Sequence, residues 1–529
     1  MKTKDLLGGA LAIMLMFLAV VFRMGAQPVS LSPATMPRIG TVDERFQAYN
    51  IEMIEVTGGR FWKPYAQGHS AANQTPAPVP QSDRTPSGLD ALYEYRPPTD
   101  LSSLRLRKLA AALGPSYVRV SGTWANTVYF HDSDDRAPQN SPAGFNGILT
   151  KKQWKGVIDF ARAVDGKIVT SFAVGAGTRD AEGVWTPEQA QRFLAYTKAA
   201  GGSIAAAEFM NEPNFAAVAG LPKGYDAAAF ARDIDVFRRF FREAAPDSLF
   251  LGPGSAGEGG VLGNAPIPGR LKTEDILKAT GPVFDVFSYH LYAALSQRCA
   301  SLMPALGTTA AAALSKEWLA RPDRINAFYS DLRDRFEPAK PLWVTETADA
   351  GCGGNPWAST FLDSFRYLNQ QGRLAQQGVQ MVAHNTLAAS DYGLLDEKTF
   401  SPRPNYWAAL LWRRLMGSIV LDPGPPLEND LHLYAHCLRD RPGGVTVLAI
   451  NAGATAQGLD VPMPGVRYTL SAEQLQSAAV QLNGRPLEAA SDGTLPRLTS
   501  IPTPAGHLLL PPTSITFLAF QEAGNTSCR

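Results

Sequence analysis

Two glutamates stand out by their position. Glu212 lies in Glu208-Phe209-Met210-Asn211-Glu212-Pro213-Asn214, and Glu346 in Trp343-Val344-Thr345-Glu346-Thr347. Each closes a short apolar run that reads as a buried strand. A carboxylate in such a place is costly unless it has a partner or a task. For one glutamate, a strand-end ion pair explains it as readily. Two of them, one inside Asn-Glu-Pro, point to paired-carboxylate chemistry. One carboxyl would hold a proton for a leaving group, and the other, ionised, would attack.

Other reactive residues are few. Ser288-Tyr289-His290-Leu291-Tyr292 and His384 end further apolar runs, and both histidines are expected to shape a pocket by hydrogen bonding. No ligand set with metal spacing surrounds them, so neither metal nor cofactor is expected. The four cysteines, Cys299, Cys352, Cys437 and Cys528, contain no Cys-x-x-Cys pair and permit three pairings. Joining Cys299 to Cys352 and Cys437 to Cys528 fits the domain division below.

These residues need elements to position them, and the chain supplies a regular alternation. Strand-like runs are expected at Phe46–Val56, Tyr117–Val120, Ile168–Val174, Ala206–Met210, Leu249–Leu251, Val283–Tyr289, Leu342–Thr345 and Val379–Ala383. Helical stretches lie between them, among them Leu101–Leu113, Pro187–Ala200 and Ala227–Ala244. Thr186-Pro187-Glu188 reads as a helix start, with a capping hydroxyl and then proline at the first position. Eight strand–helix repeats, with no Gly-x-Gly-x-x-Gly after the first strand, indicate an α/β (β/α)₈ TIM barrel over a doubly wound sheet. Glu212 and Glu346 then close the fourth and seventh strands, where such barrels carry their active groups.

Past Gly417 the rhythm changes to strand-length segments at Leu431–Cys437, Val445–Asn451, Gly465–Ser471, Ala478–Leu482 and Ser514–Phe520, which read as a C-terminal β-sandwich. The expected division is a signal peptide at 1–26, a catalytic barrel at 43–415, and a sandwich built from 27–42 plus 416–529. The 529 residues suffice for both domains, and 45% hydrophobic residues supply their cores. A formal net charge of +1 gives no reason to expect a nucleic-acid partner. Lys2 and Lys4 precede the apolar stretch Leu6–Phe22, and Met24-Gly25-Ala26 offers a cleavage site. The expectation is export to periplasm or medium, or a membrane anchor if the segment stays uncleaved.

The ordered set of motifs resembles glycoside hydrolase family 79, the heparanase and β-glucuronidase family, within the large clan of retaining glycosidases on this barrel. Tyr117-Val118-Arg119-Val120-Ser121-Gly122-Thr123 is similar to its stretch after the second strand. Phe209–Asn214 is similar to its acid/base motif and Trp343–Thr347 to its nucleophile motif. Asp391–Glu397 followed by Asn405-Tyr406-Trp407 is similar to its stretch after the eighth strand, and Pro511–Phe517 to its last sandwich strand. The resemblance covers about Leu92 to the C-terminus. It implies Glu212 as acid/base, Glu346 as nucleophile, Tyr292 as a hydrogen-bond partner that orients the nucleophile, and Asn211 as the contact to the sugar 2-hydroxyl. It also implies that amides of Gly353 and Gly354, with Tyr392, hold a uronic acid carboxylate. Animal heparanases carry a tyrosine and three glycines in that loop, whereas this chain has Gly351-Cys352-Gly353-Gly354.

Thr123, Trp124 and Asn126 at the second strand, His290 and His384, and more weakly Asn50 and Glu52 at the first, are further candidates for lining the sugar site. His131–Arg136 reads as a solvated loop. The expected substrate is a β-glucuronide or a glucuronic acid-containing oligosaccharide or glycosaminoglycan, with no obligate protein partner. Pro64–Ser87 and the 300–327 region are placed to wall off one end of the cleft, and neither has a basic cluster suited to long sulfated chains. That puts a retaining β-D-glucuronidase acting on terminal residues first and a heparanase-like endo-β-glucuronidase second. A barrel that binds carbohydrate without cleaving it is the third reading, and keeping both glutamates with Asn211 and Tyr292 argues against it.

Overall fold

The computed structural model describes residues 29–65, 90–217, 219–264, 269–301, 303–427 and 429–529. The expected signal segment 1–26 and nearly all of Pro64–Ser87 lie outside the described residues.

Eight parallel strands close a barrel: β1 (Gln47–Glu52), β2 (Ser116–Ser121), β3 (Gly166–Ser171), β4 (Ile204–Glu208), β5 (Leu249–Ala256), β6 (Val286–Leu291), β7 (Leu342–Thr347) and β8 (Val379–His384), with β8 pairing back to β1. Their inward residues fill the lower barrel with an apolar plug that includes Ala48, Tyr117, Val169, Ala206, Leu251, Val286, Trp343 and Met381. This plug leaves the carboxyl ends of the strands as the floor of the site. Helices that cover the barrel include Lys151–Ala163, Ala227–Ala244, Lys316–Phe336 and Phe361–Gln376.

Several boundaries differ from the sequence reading. The run Phe46–Val56 is a strand only to Glu52; the Glu55 carboxyl accepts the Glu52 N–H at 2.7 Å and Met53–Thr57 turns into a short helix. A continuous buried apolar run has no period that separates strand from helix. Thr186 does not cap the following helix. Its hydroxyl donates to the Thr178 carbonyl at 3.1 Å, and the helix Glu188–Ala199 begins at Pro187 without a side-chain cap. β5 runs on through Gly252-Pro253-Gly254, turn-type residues that the barrel wall accommodates. β6 starts later than Val283, because the Glu337 carboxyl takes the N–H groups of Val283 and Phe284.

The C-terminal sandwich packs a large antiparallel sheet on a three-stranded one. The large sheet runs Arg38–Thr41, Met416–Leu421, Leu431–Leu438, Val445–Asn451, Ser514–Phe520, Gly465–Ser471 and on to Arg485–Pro486. The small sheet contains Val29–Ser30, Gln457–Val461 and Gly506–Leu510. Of Ala478–Leu482, only Gln481–Leu482 forms a strand. Leu421, Leu431, Val445, Val447, Leu459, Leu510 and Phe520 fill the space between the sheets. Cys437 is bonded to Cys528, which ties the chain end to this core. The sandwich docks on the helix Phe361–Gln376, where Tyr434 packs over Gly372 and donates to Asn369 Oδ1 at 2.6 Å. No helix among the described residues is long and apolar enough to cross a membrane.

Candidate active site

β4 and β7 face each other across the barrel mouth, and the residues at their ends meet. One carboxyl oxygen each of Glu212 and Glu346, with a ring nitrogen of His290 from the end of β6, all lie within 4.8 Å of one another. Glu212 is the more open of the two, its side chain 19% exposed against 9% for Glu346. It sits just past β4 in a left-handed conformation, φ 50°, which turns its side chain into the mouth before Pro213-Asn214-Phe215 starts a 3₁₀ turn.

Glu346 is surrounded by donors. Tyr292 Oη donates to its Oε1 at 2.6 Å, Asn385 Nδ2 stands 3.3 Å from the same oxygen, and Arg119 Nη1 donates to Oε2 at 3.0 Å. Burial and then the neighbouring Glu346 charge push the Tyr292 phenol well above its ordinary value, so it stays a donor.

Arg119 organises the floor. From the middle of β2, fully buried, it donates from Nε and Nη2 to Glu208 Oε2, from Nη2 to Asn211 Oδ1 at 2.8 Å, and from Nη1 to Glu346. Hydroxyls of Ser288 and Thr345 donate to the other Glu208 oxygen, each at 2.8 Å. Burial alone would raise Glu208; the guanidinium against it outweighs burial and holds it below the usual carboxylate range. With Asn211 Oδ1 taken by Arg119, the amide NH₂ of Asn211 is turned away from that contact.

His290 bridges the two carboxyls. Its Nδ1 is 2.9 Å from Glu212 Oε1, and its Nε2 faces Arg119 Nη2 at 3.2 Å. A guanidinium nitrogen only donates, so Nδ1 carries the proton and donates to Glu212. Burial works against an imidazolium here, while the Glu346 charge and the bond to Glu212 work for it, and the balance lies above the ordinary histidine value. The spacing of Glu212, His290 and Glu346 could hold a cation, yet the Arg119 guanidinium already lies against two of the three. A second positive charge there would be repelled.

The other candidates divide into two groups. Glu52, at the end of β1, belongs to the site: its Oε1 accepts from Asn385 Nδ2 at 3.0 Å. Burial, then the Glu346 charge, push its carboxyl well above the usual carboxylate range. Tyr392 joins the same cluster, its Oη 3.2 Å from Asn385 Nδ2. Thr123 and Trp124 are half-buried at the rim. Asn50, Asn126 and His384 are turned into the protein instead. Asn50 donates to the Thr345 carbonyl, Asn126 exchanges two 2.9 Å bonds with the Asn211 peptide, and His384 Nε2 donates to the Tyr392 carbonyl.

Gly353 and Gly354 have φ of +78° and +83°. A Cβ on Gly354 would come within 3.0 Å of Asp349 Oδ1 and 3.1 Å of Tyr392, and one on Gly353 within 2.2 Å of Arg298 Nη1, so only glycine fits. Cys352 is bonded to Cys299. Beside that bridge Arg298 donates to the Cys352 carbonyl at 2.8 Å and to Asp391 Oδ2 at 2.5 Å, linking the loops after β6, β7 and β8.

Arg119, Glu208, Asn385 and Arg298 were given no role from sequence. For the first two a signal existed: an arginine inside Tyr-Val-Arg-Val and a glutamate inside an apolar strand need each other if both point inward. Asn385 follows β8 directly and Arg298 sits in the short helix Gln297–Ala300 between β6 and β7, where no pattern marks them.

The profile of the N-terminal domain of glycosyl hydrolase family 79 matches residues 98–372, more than half of the chain. The chain belongs to glycoside hydrolase family 79. This family 79 hydrolase is 29% identical over 455 residues to heparanase-like protein 1 of Arabidopsis thaliana, covering 81% of this chain and 78% of that protein. It is 28% identical over 507 residues to heparanase of Mus musculus, covering 81% and 88%. Among solved structures, a 4-O-α-L-rhamnosyl-β-D-glucuronidase from Fusarium oxysporum superposes with a TM-score of 0.61 at 12% identity, over 93% of this chain and 100% of that one, a likeness of fold.

Proposed function

We propose that this family 79 hydrolase cleaves glycans containing β-linked glucuronic acid by double displacement, with Glu346 as nucleophile and Glu212 as acid/base. The observation that carries the reading is that one oxygen of each carboxyl lies within 4.8 Å of the other. Retaining enzymes hold theirs about 5–5.5 Å apart, and inverting ones leave about 6.5–9.5 Å for a water. Glu346, held by Tyr292 and Arg119, attacks C1 while the glycosidic C–O bond breaks and Glu212 gives its proton to the departing oxygen. The ester neutralises Glu346. Glu212, now ionised and held by His290 Nδ1–H, takes a proton from water, and the resulting oxygen attacks C1 and frees Glu346. Asn211 would donate to the sugar 2-hydroxyl, and the Gly353-Gly354 amides with Tyr392 would receive the C5 carboxylate.

Two finer readings remain. The relatives are named heparanases, which favours cleavage within a chain. Removal of a terminal glucuronic acid is favoured by the hairpin Gly59–Trp62 and Tyr93–Arg96 between β1 and β2, whose Trp62 stacks on Tyr93 and lies against Gly353. We also propose export, on the strength of Lys2, Lys4 and the apolar Leu6–Phe22 that follows them.

Turnover of a chromogenic β-D-glucuronide, the matching β-D-glucoside and heparan sulfate tests the assignment. Preference for the glucuronide, with the β-anomer as first product, is expected. Preference for the glucoside, or an α-anomer, would overturn it.

A further inference from the structure

The loop after β7 carries a side chain at a position whose backbone favours glycine. Cys352, Gly353 and Gly354 have successive φ of +64°, +78° and +83°. Glycine enters that region freely, whereas a Cβ crowds the carbonyl oxygen that follows it. A third glycine would relieve position 352. What cysteine brings there instead is the bond to Cys299, which ties this loop to the short helix Gln297–Ala300 after β6.

The carbonyls of the loop all turn inward. That of Gly351 accepts the Ser296 N–H at 3.0 Å, and that of Gly353 accepts the Asp391 N–H at 3.2 Å. Between them, the Cys352 carbonyl accepts from Ser296 Oγ at 2.9 Å and from Arg298 Nη1 at 2.8 Å. In a trans peptide the N–H points away from the carbonyl. The N–H groups of Cys352, Gly353 and Gly354 therefore turn outward together, and no acceptor among the described residues takes any of them. Three adjacent N–H groups so placed form a seat for an anion. The cation beside the seat is set by the same bond. Arg298 directly precedes Cys299, its N–H donates to the Tyr65 hydroxyl at 3.0 Å, and its guanidinium lies 4.1 Å from the Tyr65 ring. Its Nη1 stands where it would meet a Cβ on Gly353.

We propose that the Cys299–Cys352 bridge is a positioning device for substrate recognition. It holds the three amides and the Arg298 guanidinium in the arrangement that receives the uronate carboxylate, and a dithiol that opens it weakens that recognition. The proposal rests on the glucuronide assignment above. Cys299 is buried and Cys352 half-buried, so Cys352 is the side open to attack. A dithiol thiolate bonds to Cys352 Sγ and expels the Cys299 thiolate. The second sulfur of the dithiol then displaces Cys352, leaving two protein thiols and an oxidised dithiol. Cys352 is left in a conformation that its Cβ disfavours, with hydrogen bonds alone to hold the seat.

The test follows the full-length Cys299→Ala/Cys352→Ala variant on p-nitrophenyl β-D-glucuronide. The carboxylate is bound alike in the ground state and the transition state, so its loss belongs in KM. KM should rise about tenfold or more, the scale of one hydrogen bond to a charged group, with kcat within about threefold of the unaltered enzyme. Should that variant not fold, the unaltered enzyme decides. Dithiothreitol should raise KM by a similar factor as the Cys299–Cys352 bond opens, tracked by alkylation and mass spectrometry of the two cysteine peptides, and reoxidation should restore it. KM within about twofold of the original after loss of that bond would overturn the clamp and leave the glucuronide assignment standing. A fall in kcat with no rise in KM would assign the bridge to the fold as a whole and overturn the clamp as well. Turnover of the matching glucoside but not of the glucuronide by the unaltered enzyme would overturn the assignment itself and the clamp with it.

Discussion

Replacing Arg119 with methionine should destabilise the protein in a way that depends on pH. Arg119 is fully buried and is the guanidinium that Glu208 and Glu346 share. Removing one partner of a buried ion pair costs about 3–5 kcal/mol. Protonation limits that cost. A carboxyl with the ordinary value of 4.5 takes about 4 kcal/mol to neutralise near pH 7.5 and about 1.4 kcal/mol near pH 5.5, at about 1.4 kcal/mol per unit. The sign follows from proton counts in the two states. With Arg119 present, Glu208 is held low, so it contributes stability above its ordinary value that is lost as pH falls. Without Arg119, burial raises Glu208, and stability is lost as pH rises past the ordinary value. Urea unfolding followed by circular dichroism at the two pH values should therefore give a penalty for Arg119→Met that is about 2–3 kcal/mol larger at the higher pH. An equal penalty at both, or one below about 1 kcal/mol, would refute the buried ion-pair account.

Three further outcomes are expected. Gly354→Ala should raise KM for the glucuronide far more than for the glucoside, because Cβ meets Asp349 and Tyr392 beside the proposed carboxylate amides; equal effects on both substrates would remove that loop from recognition. His436, buried in the sandwich, is lowered from 6.5 to about 4, mainly by burial, so the unfolded chain binds the extra proton and stability should fall by up to about 3 kcal/mol between about pH 6.5 and 4. Unfolding of His436→Gln should show an acid limb shallower by that amount, with His432 and the buried His384, also held low, keeping their share. Removing the Cys437–Cys528 bridge, which spans 91 residues, should cost on the order of 4–5 kcal/mol in the loop-entropy account, read as a lower denaturation midpoint of the Cys437→Ser/Cys528→Ser variant.

The barrel was legible because eight apolar runs alternate with helical stretches, and the period of such runs reports burial. The ends of those runs marked Glu212 and Glu346, and the family resemblance added Tyr292; the structure brings the three together. The boundaries at Glu52 and Val283 were hidden because the carboxyls of Glu55, three residues on, and of the distant Glu337 end or delay the strands by taking backbone N–H groups. Arg119 and Glu208 each look like an isolated charge in a strand until both are seen to point inward. Asn126 and His384 were assigned to the sugar site by their place at strand ends, but position alone does not say whether a side chain turns to the cavity or braces its neighbour. The hairpin was least legible, since Gly59–Trp62 and Tyr93–Arg96 pair across a long interval of sequence with no repeating pattern.

Azide rescue of the two glutamate variants tests the division of roles most directly. With an activated aryl glucuronide, Glu346→Gly should be inert alone and with azide should form the α-glucuronosyl azide, since azide then attacks in place of Glu346. Glu212→Ala with azide should form the β-azide from the intact glycosyl-enzyme. The opposite anomers, or an unimpaired Glu346→Gly, would contradict the mechanism.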